Sequence, residues 1–409
     1  MAPNLTTSCT LINDPLQLER LSPEWMSLLE RSAVNEPTMS AAWLLTWWRV
    51  FGPLGGRQLR AATFREGGRL IGLAPLLIRR QLYRGHLPFR RLELLGTGEN
   101  PEDEICSDYS NVIAERGKGD RVYNALVQAL ARGQFGNWDE LIVPMADGAQ
   151  ETYKMLIGCF KGAGFLTKSQ IVSAAPYITL PRSWDEYLGS LSSDNRYYVR
   201  RSIRDFRAWA GDDIELKCAS TAEELEQGKR ILMDLHQERW RSRGQPGVFT
   251  SPRFRQFHDR VLPQFLTEGA LELLWLEVRG EPVAALYNII WNGKVYSYQS
   301  GRRLNLPRGL RPGVVVHAMA IQRAIRMGLR EYDFLAGVSR FKRTLALESR
   351  PLVHVRVARR SFMEYARMAM ETGIARTRGL RRAMRRMCNP GGERTVIGPT
   401  GEAAYGAGD

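Results

Sequence analysis

The chain has 409 residues, of which 44% are hydrophobic and 25% are charged, and its formal net charge is +15. This length allows two or three domains whose cores need no disulfides, and the lack of any apolar run of about 18 residues excludes a membrane-spanning helix. The positive charge favours nucleic acid, anionic lipid or phosphorylated small molecules as partners.

The five cysteines are scattered along the chain, without a CxxC pair or a Cys/His spacing that suits a metal. Such a set is typical of reduced thiols in a cytoplasmic protein, and we expect no bound metal. The N-terminal residues lack a basic segment followed by an apolar run, so we expect no signal peptide.

The first predicted unit begins with a helix over residues 38–52, for which Ser40 is the candidate N-cap. Three strands follow this helix. Two of them occupy residues 59–79 around a glycine turn at 67–68, and the third lies at 90–96.

A helix and a strand complete this first unit. The helix ends at Gly133, and the strand follows at residues 137–144. The apolar face of the helix is formed by Val122, Leu126, Ala129 and Leu130.

The second half of the chain shows the same order of elements. A strand and two helical pieces over 176–210 connect the halves, and a helix over 221–244 begins at Thr221. Two strands then lie at 271–291 around a glycine turn, and a third strand lies at 293–301.

A helix that ends at Gly328 and a strand over 329–336 close the second half. The apolar face of this helix is formed by Val314, Ala318, Ile321 and Ile325. Because the strands, the helix and the final strand recur in one order, we predict an α/β fold of two divergent tandem halves, not a short-period solenoid.

The C-terminal segment carries most of the excess charge, because residues 356–388 contain ten arginines and two acids. A basic amphipathic helix over 359–387 could lie on an anionic membrane, or it could be a solvated helix packed on the fold. We expect domains at 1–175 and 176–355, a basic helix at 356–388 and a disordered tail at 389–409.

A basic loop precedes the last helix of the second half, and its sequence RRLNLPRGLRPG (302–313) has four arginines and no acid. Unpaired N–H groups at a helix N-terminus, flexible glycines and guanidinium groups together suit a pyrophosphate. A solvated loop with turn-forming glycines fits the spacing equally well. The candidate anion-binding residues are Arg302, Arg303, Arg308, Gly309, Arg311, Gly313 and Val314.

We match this loop to ENPEDEICSD (99–108) in the first half, which has five acids and no base. A phosphate would be repelled there. Opposite charges at matched positions favour a single anion site, in the second half.

Several stretches resemble known transferases. The second half resembles the GNAT acyl-CoA transferases, with R-G-L-R-P-G at 308–313 standing where their loop pattern Q/R-x-x-G-x-G/A is found. The chain is more similar to the CelD-like acetyltransferases associated with cellulose biosynthesis, which are related to the FemAB and FemX aminoacyl transferases. The matching stretches are GGRLIGLAPLLI (67–78), SDYSNVI (107–113), PYITLPRSWDEYLGSL (176–191), LHQERWRSRGQPGVF (235–249), FHDRVLPQFLTEGALELLWL (257–276), RPGVVVHAMAIQRAIRMGLREYDFLAG (311–337) and RFKRTLA (340–346).

The resemblance implies two GNAT-like halves, each a mixed sheet flanked by helices, of which the first is degenerate. It implies transfer of an acyl group from acetyl-CoA or another acyl-CoA to an amine or hydroxyl on a sugar, a polysaccharide precursor or a lipid-linked acceptor. It also places Phe341 and Lys342 near the chemistry and a strand amide within 295–301 at the oxyanion. The sequence departs from the family before Lys342, where an acid and a tyrosine are common and Phe341 takes the place of the tyrosine.

Other residues are candidates for the chemistry by their type. Asp333 lies on the opposite side of its strand from Tyr332 and Phe334, so we expect it to face the cleft or solvent. It could act as a base, or it could cap a helix or form an ion pair. Tyr298 could protonate the leaving thiolate, although aromatic residues in strands more often pack.

Three residues of HQERW (236–240) are candidates for the acceptor cleft: His236, Arg239 and Trp240. His236 and Trp240 are four positions apart and so share a helix face. A single histidine on a helix is more often structural, and a lysine between two arginines, such as Lys342, is more often a surface residue.

Two other functions stay open at this point. A FemAB-like transferase that uses aminoacyl-tRNA would suit the positive charge, although the long coiled-coil insertion of many such enzymes is missing. A non-catalytic nucleic-acid-binding protein would show an affinity that falls steeply with salt. Nucleic acid is disfavoured as a partner, because the charge is concentrated in the C-terminal segment.

Overall fold

The computed structural model describes residues 6–372. The first half contains β1 (Ser8–Ile12), α1 (Pro15–Arg20), α2 (Ser22–Glu30), α3 (Ala41–Phe51), β2 (Gln58–Leu59), β3 (Ala61–Glu66), β4 (Arg69–Ala74), β5 (Leu76–Tyr83), β6 (Leu87–Leu94), β7 (Ile113–Ala114), α4 (Gly119–Ala131), β8 (Glu140–Asp147), α5 (Glu151–Gly162) and β9 (Leu166–Thr179). The second half contains α6 (Trp184–Ser190), α7 (Ser193–Ala210), β10 (Ile214–Cys218), α8 (Ala222–Arg241), α9 (Pro252–Thr267), β11 (Leu271–Val278), β12 (Glu281–Trp291), β13 (Lys294–Arg302), α10 (Pro312–Arg326), β14 (Glu331–Asp333), α11 (Arg340–Leu345), β15 (Glu348–Ala358) and a last helix, α12, over 362–372.

The helix ends follow the local chemistry of the sequence. The Ser40 hydroxyl accepts the Trp43 N–H at the start of α3, and Thr221 forms a capping box with Glu224 at the start of α8. A glycine with positive φ follows α10, where Gly328 adopts +68°. These features confirm the predicted starts of both helices and the predicted end of α10.

The strands form two sheets, and Pro75 lies where the chain passes from one to the other. A four-stranded sheet has the order β1-β3-β4-β7, while β5 belongs to an eleven-stranded sheet. Proline has no N–H to donate to a ladder, so the predicted continuous strand over 69–79 breaks there into β4 and β5.

The eleven-stranded sheet runs through both halves, with the order β10-β11-β12-β13-β14-β9-β15-β8-β6-β5-β2. Strand β9 pairs with β14 on one side and β15 on the other, and β15 also pairs with β8 of the first half. The expected boundary between residues 175 and 176 therefore falls inside a hydrogen-bonded strand, and the two halves share one sheet.

Each half contains one parallel strand pair joined by a crossover helix. Strands β6 and β8 are parallel around α4, and β13 and β14 are parallel around α10. The pair β13–β14 holds for only three residues, from Lys294 to Tyr296, because β14 ends at Asp333. Within the described residues the rest of β13 has no strand partner on this side, and its edge from residue 297 onward lines the site described below.

Aromatic packing joins the halves beside this sheet. Trp43 of α3 meets Phe257 of α9 edge-on at 4.8 Å between ring centroids, and it stacks with Phe265 at 6.1 Å. Large buried aromatic contacts of this kind are strong contributors to packing. The first half is thus fixed against the second by a helix contact as well as by the sheet.

The C-terminal helix begins later than predicted. Residues 356–358 are the end of β15, and α12 starts at residue 362. The rest of the predicted helix to residue 388 and the predicted tail at 389–409 lie outside the described residues.

Candidate active site

A cavity of about 590 Å³ lies at the N-terminus of α10. Four arginines line it, Arg239, Arg302, Arg311 and Arg340, together with one acid, Asp194. An excess of guanidinium groups over carboxylates favours an anion in this cavity.

The first turn of α10 is left open toward this cavity. Within the described residues no side chain caps it, and Pro312 at the first helical position has no N–H to satisfy. Gly313 and Val314 line the cavity beside Arg311, whose guanidinium stacks on Tyr198 at 4.6 Å from the ring centroid. The helix dipole and these groups favour negative charge at the same point.

Arg239 enters the cavity from α8, because Gly301 lets that helix approach β13 closely. A Cβ atom on Gly301 would lie 2.7 Å from the His236 nitrogen and 2.8 Å from the Leu235 Cβ. The Arg239 Nε is buried without a hydrogen-bond partner in the structure. Burial, followed by the charges of Arg243 and Arg302, lowers the pKa of Arg239 to about 10. A bound anion would relieve this repulsion.

The predicted anion loop divides in the structure into two groups. Arg302, Arg311, Gly313 and Val314 line the cavity. Arg303, Arg308 and Gly309 do not line it, and Arg303 instead forms an ion pair with Glu281 at 3.2 Å. The Arg308 side chain is exposed.

A smaller cavity of about 140 Å³ adjoins the first one, and Arg239, Ser300, His317 and Phe341 line both. Its walls include Ser297, Tyr298 and Gln299 on the open edge of β13. A β-bulge at this point of the β12–β13 ladder leaves Tyr298 without an opposite residue. The larger cavity thus leads to a polar pocket at the unpaired edge of β13.

Asp108, which sequence reasoning missed as a site residue, lines this smaller cavity from the first half. Its Oδ2 accepts the Ala336 N–H at 2.7 Å, and its buried Oδ1 has no hydrogen-bond partner in the structure. Burial raises the pKa of Asp108 to about 7, although the Ala336 N–H and Lys342 act in the other direction. A carboxyl group with this pKa can exchange a proton near neutral pH. The sequence did offer two indications of Asp108: it lies in the family-like stretch SDYSNVI, and it ends the acidic loop 99–108.

Lys342 lines the same cavity, as the resemblance implied for a residue near the chemistry. Its ammonium donates to the Ala336 carbonyl at 2.6 Å and the Leu335 carbonyl at 3.2 Å. Burial lowers the pKa of Lys342 to about 8, while Asp108 and Asp333 act to raise it. Because Ala336 contacts Lys342 through its carbonyl and Asp108 through its N–H, one residue holds the two groups on the same cavity.

Strained backbone surrounds these groups. Cys106 and Tyr109, on either side of Asp108, adopt positive φ angles of 52° and 65°, and Leu335 beside Ala336 adopts 59°. Non-glycine residues rarely occupy this region unless the surrounding structure holds them there, and they concentrate at functional sites. The strain therefore marks the place where the two halves meet.

Asp333 lies on the opposite side of β14 from Tyr332 and Phe334, as predicted, but it faces neither solvent nor a cavity. Its carboxylate accepts the Tyr109 hydroxyl at 2.6 Å and the Leu335 N–H at 2.7 Å. The expectation that it faces the cleft or solvent was wrong, because the first half covers this side of the strand. The contacts place Asp333 behind the loop that carries Asp108.

Tyr298 lines the smaller cavity through its side chain, but its hydroxyl donates to the Ile105 carbonyl at 2.6 Å. Burial, followed by nearby acidic groups, raises the pKa of Tyr298 well above its usual range. Its proton is therefore engaged away from the cavity.

The three candidates for the acceptor cleft, His236, Arg239 and Trp240, all line the smaller cavity. The Trp240 indole donates to His236 Nε2 at 2.8 Å, so the neutral imidazole carries its proton on Nδ1, 3.3 Å from the side-chain amide oxygen of Gln237. Burial lowers the pKa of His236 to about 4. His236 is therefore a neutral wall of the cavity.

The matching of the acidic loop 99–108 to the basic loop 302–313 was wrong. Helix α4 is preceded directly by residues 115–118, and the acidic loop contacts the second half instead. Asp103 accepts the Ser251 hydroxyl at 2.6 Å and pairs with Arg253 at 3.0 Å. The acidic loop therefore packs on the second half and contributes Asp108 to the smaller cavity, and it does not occupy the position that matches the basic loop.

Comparison with known proteins identifies the second half. Residues 193–343 match the family model described as an acetyltransferase (GNAT) domain. This part of the chain is a GNAT acyltransferase domain. The matched segment reaches from α7 into α11 and includes Lys342, whereas Asp108 lies outside it. No curated protein matches the chain.

Several solved structures are similar to this chain at low sequence identity, and a shared fold is inferred only from those with a TM-score of at least 0.50. FemX has a TM-score of 0.56 and 11% identity, covering 84% of this chain and 96% of that one. A conserved protein of unknown function from Bacteroides thetaiotaomicron VPI-5482 has a TM-score of 0.50 and 11% identity, covering 86% and 100%. A tandem GNAT protein from the clavulanic acid biosynthesis pathway has a TM-score of 0.42 and 11% identity, covering 87% and 99%. The predicted α/β fold, with sheets flanked by helices, is confirmed.

GNAT domains generally use an acyl-CoA co-substrate, and the GNAT match thus implies this class of donor. Over residues 6–372, no helix is long and apolar enough to cross a membrane. In the same range, no group of three or more His, Cys, Asp or Glu side chains is placed to hold a metal ion.

Proposed function

We propose that this protein transfers an acyl group, in particular acetyl, from acyl-CoA to an amine or hydroxyl of a sugar or a lipid-linked precursor. The observation that carries the proposal is the pair of joined cavities, with clustered arginines in the larger and Asp108 and Lys342 in the smaller. An anionic donor needs the first set of groups, and a nucleophile that must lose a proton needs the second.

The diphosphate of the donor suits the open first turn of α10 beside Arg302 and Arg311. Its acyl-bearing arm would then follow the unpaired edge of β13 past Ser300 and His317, which line both cavities. The smaller cavity has room for the reacting end of an acceptor, while the rest of the acceptor would extend from its mouth. Three predicted site residues thereby acquire roles as walls: His236, Trp240 and Phe341.

The reaction itself would be a direct transfer. As the acceptor nitrogen or oxygen bonds to the acyl carbon, Asp108 takes its proton, the C–S bond breaks, and the sulfur leaves as a thiolate that is then protonated. Burial, with acidic neighbours, raises the pKa of the Cys106 thiol in the same cavity well above its usual range. An acyl-cysteine intermediate is therefore disfavoured.

Lys342 would stabilise the developing oxyanion, and a Lys342→Met variant tests this role. We expect kcat to fall by roughly 10²–10³-fold, as for the loss of one oxyanion donor. Because burial lowers the pKa of Lys342 to about 8, the charged form is lost as pH rises above 8, and wild-type kcat should decline there. Initial rates of free-thiol release from acetyl-CoA at pH 6 to 10 measure both effects.

The exposed neighbour Arg343 supplies a matched control, because an Arg343→Met variant removes a nearby charge outside the smaller cavity. Its kcat should stay within about threefold of wild type. A Lys342→Met enzyme with wild-type kcat would remove Lys342 from the mechanism.

The donor site is tested by reversing one charge in the larger cavity. An Arg311→Glu variant should bind acetyl-CoA about 10–100-fold more weakly, because a charge-assisted hydrogen bond is replaced by repulsion. The exposed Arg308 of the same loop gives the control, and an Arg308→Glu variant should bind within about threefold of wild type. Titration calorimetry and the rise in Tm on adding acetyl-CoA report both affinities.

The same measurement of Tm distinguishes an acyl-CoA donor from an aminoacyl-tRNA donor. Longer acyl-CoAs and an aminoacyl-tRNA are added in parallel with acetyl-CoA. Stabilisation by the tRNA alone, or equal responses of the Arg311→Glu and wild-type proteins to CoA, would overturn the proposed donor site.

A further inference from the structure

Helix α12 presents its apolar side chains to solvent. Phe362 is 83% exposed, Tyr365 is 51% exposed and Met368 is 43% exposed. Residues three apart in a helix lie on neighbouring positions of one face, so these side chains form a continuous stripe. An exposed apolar stripe of this kind, made of long side chains, needs an explanation in a soluble fold.

The opposite face of α12 is charged and buried. Glu364 accepts two hydrogen bonds from Arg356 of β15, at 2.8 and 2.6 Å, and two from Arg367, at 2.6 and 2.9 Å. The Tyr83 hydroxyl of β5 donates to Glu371 at 2.7 Å. Turning the apolar stripe inward would break these buried ion pairs, and such breakage is costly. The contacts therefore fix the stripe outward.

The chain continues from this helix into strongly basic sequence. Residues 373–388 contain six arginines and no acid, directly after α12. Arg360, just before α12, is exposed as well. An apolar stripe thus lies next to a cluster of positive charge along the chain.

We propose that the stripe formed by Phe362, Tyr365 and Met368 docks on the surface of an anionic phospholipid bilayer, to which the exposed Arg360 and the basic sequence after α12 add electrostatic attraction. Aromatic side chains favour the depth of the headgroups, and a helix with an apolar face next to basic residues lies in the plane of the interface. Anionic lipid attracts each nearby arginine, and salt weakens this attraction.

Two other occupants fit the stripe less well. A second copy of the chain would need roughly 800 Å² of buried surface on each partner, and three side chains on one short helix fall short of that area. RNA would be held by basic side chains together with aromatic stacking. Within the described part of α12, Arg367 is buried and bonded to Glu364, so the outward face offers no basic side chain beside its aromatic residues.

The test is binding of the full chain to large unilamellar vesicles at 0.1 M NaCl. Vesicles of 60% phosphatidylcholine and 40% phosphatidylglycerol should sediment with the protein at least about tenfold more strongly than pure phosphatidylcholine, and 0.5 M NaCl should reverse most of the gain. A Phe362→Ser/Tyr365→Ser/Met368→Ser variant should bind about tenfold or more weakly. So should a variant with the six arginines of 373–388 changed to glutamine.

A matched control uses two exposed apolar residues elsewhere on the fold. Ile171 is 72% exposed and Val172 is 43% exposed, so an Ile171→Ser/Val172→Ser variant removes exposed apolar surface away from α12 and should bind vesicles like wild type. Circular dichroism spectra and Tm values are compared with those of the wild type to check that each variant is folded.

Three results would overturn the proposal. The first is equal binding of the stripe variant and the wild type to anionic vesicles. The second is a dimer of the wild-type chain, seen by light scattering, that the stripe variant abolishes. The third is binding to RNA, but not to vesicles, that is lost in the arginine variant.

Discussion

Replacing Asp108 with asparagine is expected to lower kcat for acyl transfer by roughly 10²–10⁴-fold, the usual contribution of a general base. Asparagine keeps the shape of the side chain and an oxygen for the Ala336 N–H, but it cannot take a proton. The binding of acetyl-CoA should change little, because Asp108 does not line the larger cavity.

The pH dependence of kcat is a second test of the role of Asp108 with the same variant. Burial raises the pKa of Asp108 to about 7, so the basic form is present above pH 7 and is lost as pH falls below it. Wild-type kcat should therefore rise tenfold per pH unit at acidic pH and level off near pH 7, before the decline above pH 8 expected from Lys342, whereas the residual rate of Asp108→Asn should not show the acidic rise.

The exposed Glu102 of the same loop supplies the control, since a Glu102→Gln variant removes one charge without entering either cavity. Its rate and pH profile should match the wild type. An Asp108→Asn enzyme that keeps both the wild-type kcat and the acidic limb would show that another group is the base.

Arg350→Met is expected to lower the free energy of unfolding by about 3–5 kcal/mol, the usual cost of removing one partner from a buried ion pair. The Arg350 guanidinium pairs with Glu331 of β14 at 2.7 Å, lies 3.8 Å from Asp147 of β8, and stacks on Tyr177 of β9 at 3.9 Å from the ring centroid. Its removal would leave Glu331 and Asp147 poorly compensated at the centre of the shared sheet. The midpoint and slope of urea unfolding measure the change.

A surface ion pair of similar geometry shows how much of this loss comes from burial. Arg49 pairs with Glu19 at 3.0 Å, and both side chains are at least one-third exposed. Arg49→Met should change the free energy of unfolding by less than about 1 kcal/mol. Similar losses for both variants would mean that Arg350 is not a special support of the sheet.

The elements that the sequence predicted well are those set by neighbouring residues. Ser40 and Thr221 cap helices through contacts only three positions away, and Gly328 ends α10 through its own backbone. Tertiary contacts play little part in these choices, so periodicity and end signals were sufficient. The order of elements then revealed the repeat.

The site was only partly predictable, because it depends on contacts between distant segments. Lys342, Arg239 and Arg311 were identified by residue type or resemblance, and the structure brings them to adjoining cavities. Asp108 was missed, because a loop assumed to mirror 302–313 crosses instead to the other half. Asp333 was placed on the correct side of its strand, but no local pattern shows that Tyr109 covers that side.

The location of Asp108 in the first half has a consequence for how this protein can evolve. One carboxylate of the first half lines a cavity whose other walls come mostly from the second half. Natural selection would then preserve the backbone that aims this carboxylate, even where the rest of the first half is free to vary. Inheritance of the two halves on one polypeptide keeps that geometry together.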